Sequence, residues 1–239
     1  ITVIDINCDM GEGMGNEKEL MPFISSANIA CGYHAGDAAT IKEVVNLCLQ
    51  YNINIGAHPS FFDRENFGRA NMQLSPQEIY TIVTDQLTII NTSVIECGAI
   101  LHHVKPHGAL YNMAAKDIVT AEAIAKAVKD FDKRLIYFGL SGSVMIAAAE
   151  KIGLKTANEV FADRTYQADA TLTQRNQPNA LIKDKDTMIK HVLQMVKENR
   201  VTAVTGEEIF LQADTICIHG DGEHAVEFAK TIHKKINEV

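Results

Sequence analysis

A chain of 239 residues that is 46% apolar carries enough hydrophobic material for a sizeable core, and barrels or doubly wound folds reach this length undivided. Its formal charge is -8 with Lys and Arg dispersed, which excludes the concentrated basic footprint of a nucleic-acid surface. No run approaches the roughly 18 apolar residues of a membrane span, nothing reads as a signal peptide and no linker divides the chain, so a single domain over residues 1–239 in the cytoplasm is the expectation.

The first predicted strand covers residues 2–7 and runs into Cys8-Asp9-Met10-Gly11-Glu12-Gly13. Alternation puts Ile4, Ile6 and Cys8 on one face and Asp5, Asn7 and Asp9 on the other, ending in a glycine turn that carries Glu12. Such an acidic wall suits a cation, a proton transfer or the donors of a small polar ligand; the plainer reading is an edge strand with a wet face. Its Asp-x-Asn-x-Asp-x-Gly pattern matches the start of a calcium loop, but it begins inside a strand and its twelfth position is Asn16. Further apolar runs predict strands over 27–31, 53–57, 101–105, 135–138, 155–159 and 215–219.

Helical periodicity fills the intervals. One helix opens near Asp37 with Ile41, Val44, Val45, Cys48 and Leu49 on one stripe, and the next starts at the capping box Ser75-Pro76-Gln77-Glu78. Others are predicted over 120–130, 143–151, 186–199 and 223–238. Seven strands separated by helices, with no convincing antiparallel hairpin, make a parallel β/α series with right-handed crossovers. Periodicity alone leaves a closed barrel and an open sheet both standing. No G-x-G-x-x-G or P-loop follows the first strand, which weakens the common nucleotide-binding versions. Cys8, Cys31, Cys48, Cys97 and Cys217 show no C-x-x-C spacing, and at least four read as buried thiols of a reducing compartment.

Polar residues collect at the predicted C-terminal strand ends: Cys31-Gly32-Tyr33-His34, Ala57-His58-Pro59, Lys105-Pro106-His107-Gly108, Asp163-Arg164 and His219-Gly220-Asp221. In a parallel β/α fold these ends share one rim, where ligands bind. His34, His58 and His107 with Asp9 offer imidazole and carboxylate ligands to a metal; the same groups read equally as general acids, bases or hydrogen-bond donors. His102 and His103 face opposite ways, so at least one is structural; His191 and His233 read as solvated helix residues, and His224 stays open. Lys105 needs a partner, Asp9 or Asp221, and either binds a carboxylate, steadies developing negative charge or simply ties strand ends together. Arg69 and Arg164 suit a bidentate carboxylate clamp or a surface role. Phe61, Phe62 and Phe67 crowd the long loop 59–74 and either pack down as a cover or face a partner. Cys31 is better read as packing than as a nucleophile. Together the rim suits hydrolysis of an amide-like bond, and no G-x-S-x-G supports a serine triad.

The runs Asp5-Ile6-Asn7-Cys8-Asp9-Met10-Gly11-Glu12, Asn28-Ile29-Ala30-Cys31-Gly32-Tyr33-His34-Ala35-Gly36-Asp37, Gly56-Ala57-His58-Pro59, Phe67-Gly68-Arg69, His103-Val104-Lys105-Pro106-His107-Gly108-Ala109-Leu110-Tyr111, Glu159-Val160-Phe161-Ala162-Asp163-Arg164 and Ile218-His219-Gly220-Asp221 resemble, in order, the LamB/YcsF family. The resemblance implies an irregular seven-stranded β/α (TIM-like) barrel of the glycoside hydrolase/deacetylase kind. It also implies opening of 5-oxo-L-proline (5-oxoproline) to L-glutamate, coupled to hydrolysis of ATP to ADP and phosphate, in a complex with two further subunits, B and C (PxpB and PxpC). On that footing Asp9, His58, Lys105, His107 and Asp221 are expected to carry the chemistry, and Asn7, Glu12, His34, Arg69 and Arg164 to bind substrate. ATP is expected with Mg2+, held mainly by the partners because this chain has no Walker motif. A metal bound by Asp9, His34, His58 and His107 stays an open alternative. Two competing readings are a stand-alone metal-dependent amidase or deacetylase and a non-catalytic lactam-binding subunit.

Overall fold

The computed structural model describes residues 4–222 and 224–238. Its strands are β1 (Asp5–Met10), β2 (Ser26–Ala30), β3 (Asn54–His58), β4 (Leu101–Val104), β5 (Ile136–Leu140), β6 (Lys155–Phe161), β7 (Arg200–Thr202), β8 (Glu208–Phe210) and β9 (Thr215–Ile218). The first six pair in parallel in chain order, and β9 closes the barrel by bonding to both β6 and β1. Closure removes every sheet edge, so the seven strands need no covering strand. The barrel alternative is therefore correct.

The helices are α1 (Glu17–Leu20), α2 (Ala38–Tyr51), α3 (Pro76–Glu96), α4 (Gly108–Ala114), α5 (Ile118–Phe131), α6 (Val144–Lys151), α7 (Lys185–Glu198) and α8 (Ala225–Asn237). Local chemistry sets several starts. Asp37 accepts from the Thr40 backbone N–H at the head of α2, and Ser75 and Glu78 form a reciprocal capping box on α3. Ile41, Val44, Val45 and Cys48 of α2 are buried as predicted, but Leu49 is exposed, one step off the stripe. The apolar face of β1 (Ile6, Cys8, Met10) belongs to this surrounding core.

The polar face of β1 looks into the barrel, which is filled by a bonded polar column. Asp5 accepts from Ser26 and Thr215 at the bottom, and Asn7 bonds to Thr215 and Asn28 above it. Asn28 also accepts from His103 Nε2 at 2.8 Å, and His103 stacks on Phe138 at 4.2 Å. Gly56 makes room for this imidazole: a Cβ there would lie 2.0 Å from His103 Nε2. His103 is thus the structural member of its pair. The wet edge strand is excluded, because β1 has neighbours on both sides.

Several expectations need correction. An antiparallel hairpin does exist, β7 with β8, inserted between β6 and β9; strands of three residues are too short to show alternation. The short α1 and α4 carry no side-chain cap, so no local signal in the sequence marks them. β1 runs to Met10 rather than ending at residue 7; residues 2 and 3 of the predicted strand, and residue 223 of the predicted last helix, lie outside the described residues. His191 is not solvated: its ring packs toward Tyr166, and burial lowers its pKa. All five cysteines are free and four are buried. No helix among the described residues is long and apolar enough to cross a membrane.

Candidate active site

The top of the polar column is the floor of a cavity of about 850 Å³ at the C-terminal ends of the strands. Lys105, just past β4, sits at its centre. Its Nζ lies 2.9 Å from Asp9 Oδ1, 2.9 Å from Glu159 Oε1, 3.0 Å from Cys217 Sγ and 3.3 Å from Asn7 Oδ1. Burial alone would lower the Lys105 pKa, but Asp9, Cys217 and Glu159 offset it and hold the ammonium well above its ordinary value. Burial likewise pushes Asp9 up, and His58 and Lys105 more than reverse this, keeping the carboxyl well below its ordinary range. Asp9 is a fixed anion, with Oδ1 also accepting from Asn28.

Above it stand three imidazoles. His58, at the end of β3, donates from Nδ1 to the Lys105 carbonyl at 2.7 Å, and His107 donates from Nε2 to the Phe67 carbonyl at 2.8 Å. Their remaining nitrogens, His58 Nε2 and His107 Nδ1, are 2.9 Å apart. His34 stacks on His107 with ring centres 3.8 Å apart, and its Nε2 meets Glu12 Oε1 at 2.9 Å. Burial lowers the pKa of His34; burial, then His34 and His58, hold His107 well below the ordinary imidazole value.

Loop 59–74 forms a strap over these rings. The Gly68 carbonyl accepts from the Ala109 N–H at 2.9 Å, and a Cβ on Gly108, whose φ is +55°, would come within 2.4 Å of that oxygen. Phe67 packs edge-on against His34 and His107. Phe61 is fully buried, whereas Phe62 is 68% exposed against Tyr33, so the three aromatics split between packing down and facing outward.

The cavity wall is cationic. Arg69, Lys116, Arg164 and Arg175 line it with Tyr111, Phe161 and His219. Arg164 is buried, donates to the Thr173 carbonyl, and leaves Nε without a partner; burial, then Arg175, lowers its pKa to about 10, so it stays charged at neutral pH. His219 Nδ1 lies 2.9 Å from both oxygens of Asp163. The Tyr111 hydroxyl is buried, and burial with Glu159 beside it pushes its pKa well up, so it remains a phenol.

Asp9, Glu12, His58, Lys105, His107, Arg69 and Arg164 thus meet around one cavity, with His34 immediately behind His107. Two expected residues stand elsewhere. Asn7 is fully buried one layer below the floor, where it positions Lys105 and Asn28 instead of reaching a substrate. Asp221 is at the mouth, 2.9 Å from Arg69 and 3.6 Å from Arg175, and is not the partner of Lys105. Sequence reasoning assigned no role to Glu159, Tyr111, Arg175 or the Asp163–His219 pair. The inward alternation of β6 marks Glu159; nothing local marks Arg175, which the loop after β6 carries back over the cavity. Cys31 is buried with its thiol pushed up to about 12 by burial, as packing requires. The arrangement offers a fixed carboxylate, three buried imidazoles, a buried ammonium and several cations on the wall, a set suited to hydrolytic attack on a substrate that bears negative charge.

The model of the LamB/YcsF family matches residues 4–239. A relative from Tolumonas auensis, named as a 5-oxoprolinase subunit, is 52% identical over 234 residues, covering 96% of this chain and 93% of its own. The crystal structure of a lactam utilization protein from Thermus thermophilus superposes with a TM-score of 0.90 at 40% identity, over 98% of this chain and 96% of its own. A family 4 carbohydrate esterase from Streptomyces lividans shares the fold, with a TM-score of 0.55 at 10% identity, over 99% and 88% of the two chains.

Proposed function

This chain belongs to the LamB/YcsF family, and we propose that it is the ring-opening subunit of an ATP-dependent 5-oxoprolinase, converting 5-oxo-L-proline to L-glutamate together with partner subunits B and C. The names of its near relatives support the substrate class and the existence of partners. The observation that carries the chemistry is the buried floor: an ionised Asp9 is bound to Lys105 on one side and faces His58 on the other, beneath a wall of arginines.

A five-membered lactam is a resonance-stabilised amide and a poor electrophile. Transfer of the terminal phosphoryl group of ATP to its carbonyl oxygen, with release of ADP, makes the ring carbon attackable. In this reading the partners bind ATP with Mg2+ and perform or assist that transfer. Water then adds to the carbon while Asp9 or His58 takes its proton, and Lys105 holds the negative charge that develops. Departure of the ring nitrogen with a proton leaves a glutamyl phosphate, whose hydrolysis gives glutamate and phosphate. Arg69 or Arg164 binds the substrate carboxylate. The cavity is far larger than a small lactam needs, which leaves room for a phosphoryl group and for an element of a partner.

The test compares the purified chain alone with the chain mixed with subunits B and C, measuring glutamate release from 5-oxoproline with and without ATP. ATP-dependent release only from the complete mixture is expected. Full turnover by this chain alone would overturn the shared reaction.

A further inference from the structure

Two backbone carbonyls fix the tautomers of His58 and His107, and those tautomers leave a gap in the bonding. A carbonyl oxygen only accepts. The Lys105 carbonyl therefore requires a hydrogen on His58 Nδ1, and the Phe67 carbonyl requires one on His107 Nε2. His58 Nε2 and His107 Nδ1 are then left facing each other across 2.9 Å, a pair of ring nitrogens whose single hydrogens, in the uncharged rings, are already given to the two carbonyls. Asp9 Oδ2 lies 3.3 Å from His58 Nε2; Glu12 Oε1 lies 3.5 Å from His107 Nδ1 and 3.9 Å from His58 Nε2. Glu12, His58 and His107 thus bring ligand atoms within 4.8 Å of one another from three separate segments, and Asp9 joins them through His58.

We propose that Asp9, Glu12, His58 and His107 form a binding site for one divalent transition cation of the zinc type. Ligands about 2.0–2.1 Å from a tetrahedral centre are about 3.3–3.4 Å apart, and four of the six separations in this set, 2.9, 3.3, 3.5 and 3.9 Å, bracket that spacing. The donor set, two imidazole nitrogens and two carboxylate oxygens, matches such a cation in kind and balances its charge. The surroundings hold each ligand in place, as metal sites require. The two carbonyls orient the rings, Lys105 and Asn28 occupy Asp9 Oδ1 and leave Oδ2 to face inward, and His34 holds Glu12. This assignment goes beyond the lactam reaction and does not depend on the identity of the substrate.

The full chain, stripped by dialysis against a chelator, is titrated with Zn2+ and separately with Co2+. Elemental analysis should find about one tightly held cation per chain, and Co2+ should show the intense visible absorption of a four-coordinate site. His58→Gln and Glu12→Gln should each cut uptake about tenfold or more, while His224→Gln, at an exposed position, should bind like the unaltered chain. Circular dichroism checks that each variant is folded; if His58→Gln fails to fold, Glu12→Gln, altered on the loop after β1, carries the comparison. A folded unaltered chain that takes up no Zn2+ or Co2+ would overturn the assignment. So would uptake that survives both substitutions, because the cation would then sit elsewhere.

Discussion

Lys105 is the residue on which the site depends most, since its buried ammonium is the counter-charge to two buried carboxylates, Asp9 and Glu159. Lys105→Met leaves both without a cation, so the variant should lose about 3–5 kcal/mol of stability in urea denaturation. The pairing with Asp9 is legible because a buried lysine at the rim needs a carboxylate from another strand end; Glu159, one of several acids along the chain, becomes a partner only through the packing of β6 in the barrel, and the other expected partner, Asp221, is drawn to Arg69 and Arg175 at the mouth. Asp9 also predicts a pH dependence. Its native pKa is depressed below the ordinary carboxylate value of 3.8. Its contribution to stability is therefore complete above that value and is lost as pH falls through the native pKa. The stability difference between the unaltered chain and Asp9→Asn should be constant near neutral pH and shrink below about pH 4. A difference that stays constant through the acid range would contradict this.

At the scale of elements, glycines decide how closely the pieces seat. Gly56→Ala drives a methyl into His103 and breaks its bond to Asn28, an overpacking that should cost about 1–3 kcal/mol or more in thermal or urea unfolding. Gly108→Ala pushes against the Gly68 carbonyl and should lift the strap, which pins His107 through Phe67. Faster limited proteolysis within 59–74 would show it; an unchanged cleavage rate would mean that the strap is held by something else. The capping box of α3 and the stripe of α2 announce themselves in sequence because caps and periodicity are local. The helix α4 and the β7–β8 hairpin do not, because both are short and depend on contacts made across the fold.

For the whole molecule, the seven barrel strands and the polar face of β1 are readable, whereas barrel closure is not, because closing depends on β9 meeting β1 across most of the chain. Closure turns what resembled a wet strand face into a sealed polar column, and the column delivers Asp9 and Lys105 to the cavity as a fixed ion pair. The same closure explains why the strand-end residues act together although they are scattered through the sequence: seven parallel strands set them around one opening. The central claim is that the lactam is opened at this floor inside an assembled enzyme. The most direct measurement is ATP-dependent glutamate release by the complex of this chain with subunits B and C, with Asp9→Asn compared to the unaltered chain and assembly checked by gel filtration. The account predicts intact assembly with release reduced by about 100-fold or more. Release within a factor of about two of the unaltered complex, a difference too small for a lost proton acceptor, would contradict it and leave this chain as a binding subunit only.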